Sequence, residues 1–586
     1  MDRREFVGLL SKASVAGMLP GVSGWAMAGE KLQPPMFGNT RILHFTDCHA
    51  QLLPVYFREP NVNLGIGPAY GKLPHIVGKN LLKKIPEIKT LREAHAYTYL
   101  DFTAAAEKFG KVGGFAHLKT LIDQCRGEAG AGRSILIDGG DTWQGSGTAL
   151  WTRGKDMVEA CNMLGVDVMT GHWEFTYQDN EILENAKLFN GEFVAQNIKA
   201  SEDALFDGIE VYDEDSGHVF KPYVIKEMQG KRVAVIGQAF PYTPIANPKR
   251  FIPDWTFGIQ EDDLQELVDD IRSSEKPDAV LLLSHNGMDV DLKLASRVSG
   301  IDAIMGGHTH DGMPVPVVVE NPGGKTLVTN AGSNGKYLAV LDLDLGNGKV
   351  NGFKYSLLPV FSNIIPADAA MTAYIAKVRQ PYLAKLNEKL ATAENLLYRR
   401  GNFNGTFDQV ICDSLTNVLD AQFSFSPGFR WGTSVLPGEA ITMDRLLDQT
   451  CMTYPETYVR NMKGEQIKAI LEDVCDNLFN QDPYRQQGGD MVRVGGLTYT
   501  CEPNGASLNR ISEIRDLNGK LIDANKDYRV AGWATVGSKS PGEPIWDVVA
   551  TYLRDKKTIK VEKLIEPKLK GVAGNPGLAD YQGEIV

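Results

Sequence analysis

Long hydrophobic runs are missing from the chain beyond Ala28. No stretch there is apolar over the roughly 20 residues that a membrane-spanning helix requires, so we expect the mature protein to have no membrane span. Internal repeats and low-complexity tracts are also missing, which excludes a repeat architecture and gives no indication of disorder.

Basic clusters and paired cysteines are equally scarce. The chain has 61 Lys and Arg against 73 Asp and Glu, a formal charge of −12, and no Lys or Arg cluster that would neutralise phosphodiester backbones. We therefore expect no nucleic-acid partner. Its seven cysteines lack short paired spacings, which argues against a zinc ribbon or a disulfide framework. Because seven is odd, at least one thiol stays unpaired within a monomer.

The N-terminus has the parts of an export signal. Arg3 and Arg4 precede a weakly apolar run over residues 7–19, and small residues follow at Ala26 and Ala28. This order is typical of a twin-arginine signal over residues 1–28, cleaved near Ala28. An ordinary helix, or a general secretory signal with chance arginines, is the alternative. The signal predicts a periplasmic protein if the source is bacterial.

The chain is 586 residues long and 43% apolar, too long for one compact core, so two domains are expected. From Arg41 to about Val360, short β-rich apolar runs alternate with segments of helical period, which favours an α/β domain with layered αββα architecture over residues 39–365. The runs are 41–45, 134–138, 166–170, 279–283 and 301–305.

A connecting helix with a kink at Pro381 is predicted over residues 366–395. The apolar residues at helical spacing are Met371, Ile375, Val378, Tyr382, Leu386 and Leu390. Residues 396–586 mix helix and strand signals, which predicts a smaller α+β domain. The insert 54–101 is less periodic, and we expect a surface excursion near the site.

Potential metal ligands follow each of the five predicted strands. They are Asp47 and His49, Asp141, His172, His285, and His308 with His310. Since α/β folds place their sites at the carboxyl ends of strands, these seven donors are expected to converge. In an extended segment, the i, i+2 spacing of Asp47 with His49 and of His308 with His310 turns both side chains to one side.

Asp141 lies in a glycine turn, where its carboxylate could bridge two ions, so the set predicts a dinuclear hydrolytic site. Each motif alone is weak, because a lone Asp-x-His or His-x-His pair more often only hydrogen-bonds. That ordinary role is expected for the remaining histidines, which are His44, His75, His95, His117 and His218.

These motifs carry a resemblance. Asp47-x-His49, Gly140-Asp141, Ser284-His285 and 306–310 (Gly-Gly-His-Thr-His) resemble the metallophosphoesterase domain of the 5′-nucleotidase family, with its C-terminal substrate domain following. The resemblance implies that Asp47, His49 and His310 hold one ion, that His172, His285 and His308 hold the other, and that Asp141 bridges them.

The segment after the third strand departs from that pattern. Nucleotidases have Gly-Asn-His-Glu-Phe-Asp, in which the histidine and aspartate form a catalytic pair, whereas residues 171–176 read Gly-His-Trp-Glu-Phe-Thr. With residues 145–151 and 426–432, this variant is similar to the SoxB sulfate thiohydrolases of sulfur-oxidising bacteria. Gln178, where that group often has glycine, leaves the shape of the local loop open.

This resemblance implies hydrolysis of the sulfonate from S-sulfocysteine or S-thiosulfonate on the SoxYZ carrier protein, which releases sulfate by means of water activated at two metal ions. The family points to manganese, although the ligand types fit manganese, iron or zinc equally. Asp141, His172 and Arg430 are the implied catalytic residues.

Three residues are candidates for substrate contact. Trp173 is expected to line a narrow entrance for the carrier, with simple packing as the alternative. Arg430 is expected to clamp the sulfonate or the carrier terminus, with a surface salt bridge as the alternative. Thr142 is a weaker candidate.

Two other functions compete with this one. A periplasmic 5′-nucleotidase or related phosphoesterase would need aromatic stacking surfaces, and residues 488–496 contain no aromatic residue. A non-catalytic metal-binding or carrier-docking protein would explain the missing catalytic pair, but the complete ligand set speaks against it.

Overall fold

The computed structural model describes residues 33–58, 64–537 and 539–572. The expected signal over residues 1–28 and its cleavage site lie outside these ranges. Within them, no helix combines the length and the apolar character needed to cross a membrane.

Strands and helices alternate through the first part of the chain and are mixed in the second. The strands are β1 (Thr40–Phe45), β2 (Ser134–Asp138), β3 (Val168–Met169), β4 (Glu192–Phe193), β5 (Lys199–Ala200), β6 (Tyr223–Met228), β7 (Lys231–Gln238), β8 (Trp255–Thr256), β9 (Ala279–Ser284), β10 (Ala303–Gly306), β11 (Val317–Asn321), β12 (Gly324–Asn330), β13 (Tyr337–Gly346), β14 (Lys349–Pro359), β15 (Lys389–Ala393), β16 (Phe423–Ser426), β17 (Ala440–Thr442), β18 (Thr457–Lys463), β19 (Arg493–Gly495), β20 (Leu497–Cys501), β21 (Ile511–Asp516), β22 (Asp527–Trp533), β23 (Thr558–Ile559) and β24 (Lys568–Leu569). The helices are α1 (Gly78–Lys84), α2 (Leu91–Tyr97), α3 (Phe102–Phe109), α4 (Phe115–Ala129), α5 (Gly147–Thr152), α6 (Lys155–Leu164), α7 (Asp179–Leu188), α8 (Glu202–Phe206), α9 (Thr243–Ala246), α10 (Glu261–Asp270), α11 (Met288–Arg297), α12 (Ala369–Arg379), α13 (Leu383–Leu386), α14 (Thr406–Val418), α15 (Met443–Thr450), α16 (Gly464–Phe479) and α17 (Ile545–Lys556).

Two six-stranded sheets form the core of the first domain. One has the order β14-β13-β1-β2-β3-β4 and the other β11-β12-β10-β9-β7-β6. The strands β1 to β4 run parallel, as do β7, β9, β10 and β12. All five strands expected from the sequence are present, three in the first sheet and two in the second, so the ligand loops reach the site from both sheets.

The sheets face each other because both faces of their strands are apolar. In β1, Ile42 packs in the cluster between the sheets with Val235 of β7, whereas Leu43 and Phe45 pack against α4 on the outer face. On the far side, Leu282 of β9 packs against α11. The order helix, sheet, sheet, helix confirms the expected αββα layering.

The second domain is a smaller α+β unit whose central sheet has the order β18-β22-β16-β19. The predicted connecting helix differs in extent from the structure. It runs as α12, a short 3-10 turn at Gln380–Tyr382 and α13, and it ends at Leu386. Leu390 lies in β15, because the apolar spacing of a buried strand can continue a helical pattern by chance.

A buried ion pair joins β1 to β13. Arg41 is fully buried and lies opposite Asp342 in the sheet. Its Nε and Nη2 donate to the two Asp342 carboxylate oxygens at 2.7 and 2.8 Å, and its Nη1 donates to the Cys125 carbonyl at 3.0 Å. The pair ties the first strand of the site to the strand beside it.

Replacing Arg41 by Met is expected to lower the free energy of unfolding by about 3–5 kcal/mol, because Asp342 is left as an uncompensated buried charge. Chemical denaturation measures the change. Lys119→Met, which removes only the exposed Lys119–Asp123 pair, is the control and should change stability by less than about 1 kcal/mol. A double variant with Leu at position 342 should recover most of the loss. If it is no more stable than Arg41→Met alone, the buried charge is not the cause.

Candidate active site

The seven candidate ligands lie together at the carboxyl ends of the central strands. They form two groups that share Asp141: Asp47, His49, Asp141 and His310 make one, and Asp141, His172, His285 and His308 make the other. In each group the ligand atoms all lie within 4.8 Å of one another, and every residue is buried. These are the two sets that the sequence resemblance implied.

Asp141 is the centre of the arrangement. Its Oδ2 lies 3.1 Å from His285 Nε2, 3.4 Å from His172 Nδ1 and 3.7 Å from His49 Nε2. On the other side, Asp47 Oδ1 lies 3.1 Å from His310 Nε2. One carboxylate therefore faces both groups, as a bridging ligand must.

The chemistry of these donors fits divalent metal ions. A buried ring nitrogen in each of four of these histidines lacks a hydrogen-bond partner within the described part of the chain, which is costly unless another partner binds it; the four are His49, His172, His308 and His310. Burial lowers the pKa of His49 to about 3 and also lowers the pKa of His172, His308 and His310. Neutral imidazole is the form that ligates metals. Groups of this kind could hold a metal ion.

The raised pKa values of His285 and Asp47 both indicate a shortage of positive charge in the site. Burial opposes protonation of His285, but Asp141 and Asp47 outweigh it and raise its pKa to about 10. Burial raises the pKa of Asp47 to about 6, against the effect of His285. A metal cation at the centre would supply the positive charge that the proton on His285 supplies here.

The ligand loops are not extended, contrary to the reasoning from the i, i+2 spacing. Asp47 and His49 have φ angles of 52° and 45°, and His308 and His310 have φ angles of 69° and 62°. Asp141 also has a positive φ, of 58°. Left-handed backbone at non-glycine residues is strained and persists only where neighbouring contacts hold it. The geometric reasoning from the i, i+2 spacing was therefore wrong: Asp47 and His49 lie in one group of candidate ligands, whereas His308 and His310 lie in different groups.

Glu174 supplies much of that support and was missed in the sequence. Its fully buried carboxylate accepts hydrogen bonds from four backbone N–H groups: Oε1 from Thr142 (2.8 Å) and Trp143 (3.1 Å), and Oε2 from His172 (2.9 Å) and Asp141 (3.2 Å). The signal was the glutamate that residues 171–176 share with the nucleotidase segment. Glu174 therefore positions ligands of both groups.

A cavity of about 290 Å³ opens over the two groups and is walled by the second domain. The indole of Trp173 is only 6% exposed and lines it. It meets Phe429 edge-on with 5.5 Å between centroids, and Trp431 with 5.1 Å. The rings of Phe429 and Trp431 stack at 4.3 Å. Aromatic side chains therefore form one wall of the approach to the metal ligands.

Arg430 also lines this cavity, and its environment is not that of a residue in a surface salt bridge. Its side chain is 13% exposed, its Nη2 donates to the Gly489 carbonyl at 3.0 Å, and its Nε lies 3.6 Å from Asp490. Its Nη1 approaches the His308 carbonyl at 3.4 Å. A cationic fork is thus held beside a candidate metal ligand.

The structure does not bring Thr142 to the cavity. The Thr142 side chain is fully buried, and its hydroxyl donates to Asp138 at 2.9 Å. Its backbone amide is bound to Glu174. Thr142 follows Asp141 in sequence, but its side chain supports the loop instead of contacting the open space.

The remaining histidines lie outside the two groups. His75 contacts Asp289 at 2.8 Å, His117 contacts the Ile365 carbonyl at 2.6 Å, and His218 contacts the Gln196 carbonyl at 2.9 Å. These three hydrogen-bond as expected. His95 packs among phenylalanine rings, and His44 is buried with no ring partner in the described chain.

Comparisons with known proteins point to one family. The model of the C-terminal domain of 5′-nucleotidases matches residues 389–547. The chain is similar to the sulfate thiohydrolase SoxB of Thermus thermophilus, solved in complex with glycerol, with 36% identity and a TM-score of 0.86 over 92% of this chain and 98% of that one. A 5′-nucleotidase precursor from Thermus thermophilus shares the fold, with 22% identity and a TM-score of 0.71 over 91% of this chain and 100% of that one. Rat 5′-nucleotidase is 28% identical over 536 residues, which are 81% of this chain and 87% of the rat protein.

Glu174→Gln is expected to weaken metal binding by about 10- to 100-fold, the usual effect of removing a group that orients ligands. The amide can accept at one end only, so two of the four backbone N–H groups lose their acceptor. Titration with Mn²⁺ or Zn²⁺ of the metal-free protein measures the change. Glu184→Gln, which alters an exposed pair with Lys155, is the control. Unchanged metal affinity in Glu174→Gln would remove its positioning role.

Proposed function

This chain belongs to the 5′-nucleotidase family, in the group of the SoxB sulfate thiohydrolase, and we propose from that premise that it hydrolyses a sulfonate carried on a cysteine of a SoxYZ-type carrier protein. The chain is a hydrolase of this family. The proposed reaction adds water to S-sulfocysteine or S-thiosulfonate, breaks the bond between the sulfonate and the neighbouring sulfur, and yields sulfate with a thiol or a persulfide. An S-sulfosulfanyl-L-cysteine sulfohydrolase would act in this way.

We propose that Asp47, His49 and His310 hold one divalent ion, that His172, His285 and His308 hold the other, and that Asp141 is shared. Two such ions, with manganese expected from the family, supply an acidified water and neutralise oxygen charge at the tetrahedral sulfonate. Glu174 holds the backbone amides of Asp141 and His172. The backbone N–H groups of Trp173 and His308 donate to the carboxylates of Asp141 and Asp47. Burial also favours the neutral form of His49, His172, His308 and His310 by lowering the pKa of each.

The observation that carries the proposal is the position of Trp173. This residue stands where nucleotidases have a catalytic histidine, and its indole lines the cavity instead of lying wholly in a core. Its backbone N–H also donates to Asp141 Oδ1 at 2.7 Å. The chain thus keeps the support of the shared carboxylate while replacing an acid–base group by an apolar wall.

Loss of the histidine suits a sulfur leaving group. A thiolate or persulfide is a much weaker base than the alkoxide that leaves a phosphate ester, so less proton transfer is needed at departure. Thr176, at the place of the partner aspartate, is fully buried and bonds the Thr453 hydroxyl at 2.5 Å. Neither position retains a titratable side chain.

Arg430 is proposed to contact the sulfonate oxygens or the carrier terminus. Its planar fork can bind two oxygens at once, and its side chain lies between a ligand loop and the glycine loop at Gly489. Asp141, His172 and Arg430 therefore remain the proposed catalytic residues, and Trp173 a substrate contact.

A phosphoesterase acting on nucleotides is the second candidate, favoured by curated relatives such as rat 5′-nucleotidase. Aromatic rings of the second domain do line the cavity, which residues 488–496 alone did not indicate. Phe429 and Trp431, however, are stacked on each other at 4.3 Å with 16° between their planes. No base can insert between rings at that separation, since each stacked layer needs a spacing of its own.

Export is proposed on the sequence alone. The order of Arg3-Arg4, apolar run and small residues supports a twin-arginine route to the periplasm with cleavage near Ala28. We also propose that residues 39–365 form the catalytic domain and 396–586 the substrate domain.

Purified, manganese-loaded protein should release sulfate from a thiosulfonate-modified carrier and no phosphate from AMP. Ion chromatography follows sulfate, and a phosphate assay of the same preparation follows AMP hydrolysis. Asp141→Asn is the control, since loss of the shared carboxylate should abolish sulfate release. Phosphate without sulfate would instead establish the second candidate.

Trp173→Ala is expected to lower kcat/KM on the carrier substrate by about 30-fold or more, the scale for an aromatic anchor at a binding site. Trp173→Phe keeps an apolar ring and should lose much less. Steady-state sulfate release is measured beside metal content, so that a damaged metal centre is recognised. Equal rates for wild type and Trp173→Ala would leave Trp173 as a packing residue.

A further inference from the structure

A second cavity, of about 330 Å³, adjoins the metal groups. It shares His310, Arg430 and Asp490 with the cavity under the aromatic wall. Its outer lining includes Pro68 and Gln481, which are exposed, so it leads from a candidate metal ligand to the surface. The insert whose role the sequence left open supplies much of its wall.

Arg400 is the unusual residue of this cavity. It is 4% exposed and lines the space, yet its guanidinium makes no hydrogen bond or ion pair with any residue that the structure describes. Only its backbone N–H is engaged, with Asp408 at 3.3 Å. Burial lowers the pKa of Arg400 to about 10, so the group is still charged at neutral pH.

Among the described residues, the nearby carboxylates make no ion pair or hydrogen bond with the Arg400 guanidinium, although the charges of Asp490 and Asp311 act to raise the pKa of Arg400. Asp490 contacts Arg493 at 3.0 Å and Arg430 at 3.6 Å, while Asp289 contacts His75 at 2.8 Å. A buried charge that lacks a direct hydrogen-bonded partner is unfavourable. The cavity therefore offers a buried cation that has no hydrogen-bonded partner for its side chain among the described residues, next to a second arginine that also faces the metal groups.

We propose that Arg400 and Arg430 form a tetrahedral-oxoanion site in this second cavity, which receives the product sulfate on its way to solvent. The proposal rests on the proposed function. A carrier arm reaching the metals along the aromatic wall would fill the first cavity, so sulfate formed beneath it needs another path. Arg430 lines both cavities, whereas Arg400 lines only the second one.

The oxoanion site is tested with selenate, a sulfate analogue that X-rays detect by anomalous scattering. In crystals of the manganese-loaded protein, selenate should occupy the second cavity beside Arg400. In calorimetric titration, Arg400→Met should weaken selenate binding at this site by at least about tenfold. Arg485→Met is the matched control, since Arg485 is exposed on the same rim and does not line the cavity. Selenate located elsewhere, or unchanged affinity in Arg400→Met, would overturn the site.

The release route is tested by narrowing the outer end. Ala69 lines the cavity beside Pro68, and Ala69→Trp should leave the single-turnover rate of sulfate formation unchanged while slowing steady-state turnover several-fold, with a burst. Lys72→Trp, an exposed position of the same insert outside the lining, is the control. Equal steady-state rates for Ala69→Trp and wild type would refute the route. Absence of sulfate in a wild-type single turnover would instead refute the proposed function, and the selenate result would still decide the anion site.

Discussion

The shared carboxylate of Asp141 is the constraint on which the site depends. It is buried beside three imidazoles, within 3.1 to 3.7 Å, and nearby histidines hold its pKa well below its usual range although burial acts to raise it. A charged oxygen in such a place must be fixed by many contacts. The Trp173 N–H binds its other oxygen, and Glu174 holds its backbone amide. The surrounding loops are arranged around this one group.

The strands that carry the ligands were predictable because burial on both faces gives continuous apolar runs, which are readable without knowledge of the fold. Every predicted strand is present, and each is followed by the expected ligand. What the sequence could not give was the backbone of the loops. Asp47 and His308 adopt left-handed conformations, since hydrogen bonds between distant segments hold them there: the His308 amide, for example, donates to the Asp47 carboxylate at 3.0 and 3.1 Å.

Other differences have the same origin. The sequence made Thr142 a reasonable candidate for substrate contact, but its hydroxyl donates a hydrogen bond to the buried Asp138 carboxylate instead. Glu174 lies in the motif of residues 171–176, but its role depends on backbone N–H groups from a separate loop, at residues 141–143. Arg400 carries no motif that marks it as part of a site. The helix predicted through Leu390 ended early because a buried strand and a helix can share apolar spacing over a few residues.

Trp173 shows how one substitution can change a reaction while leaving the metal centre intact. Its two contributions are separable, because the N–H that binds Asp141 belongs to the backbone and would be present with histidine at the same position. Only the side chain changes, and it packs edge-on against Phe429 and Trp431 of the second domain. An imidazole there would place a titratable group against these rings, whereas the indole extends them to the metal ligands. The site thus lacks a proton-transferring side chain at this position and has an apolar wall in its place. A sulfur leaving group permits this change because it is a weak base and needs little protonation when it departs.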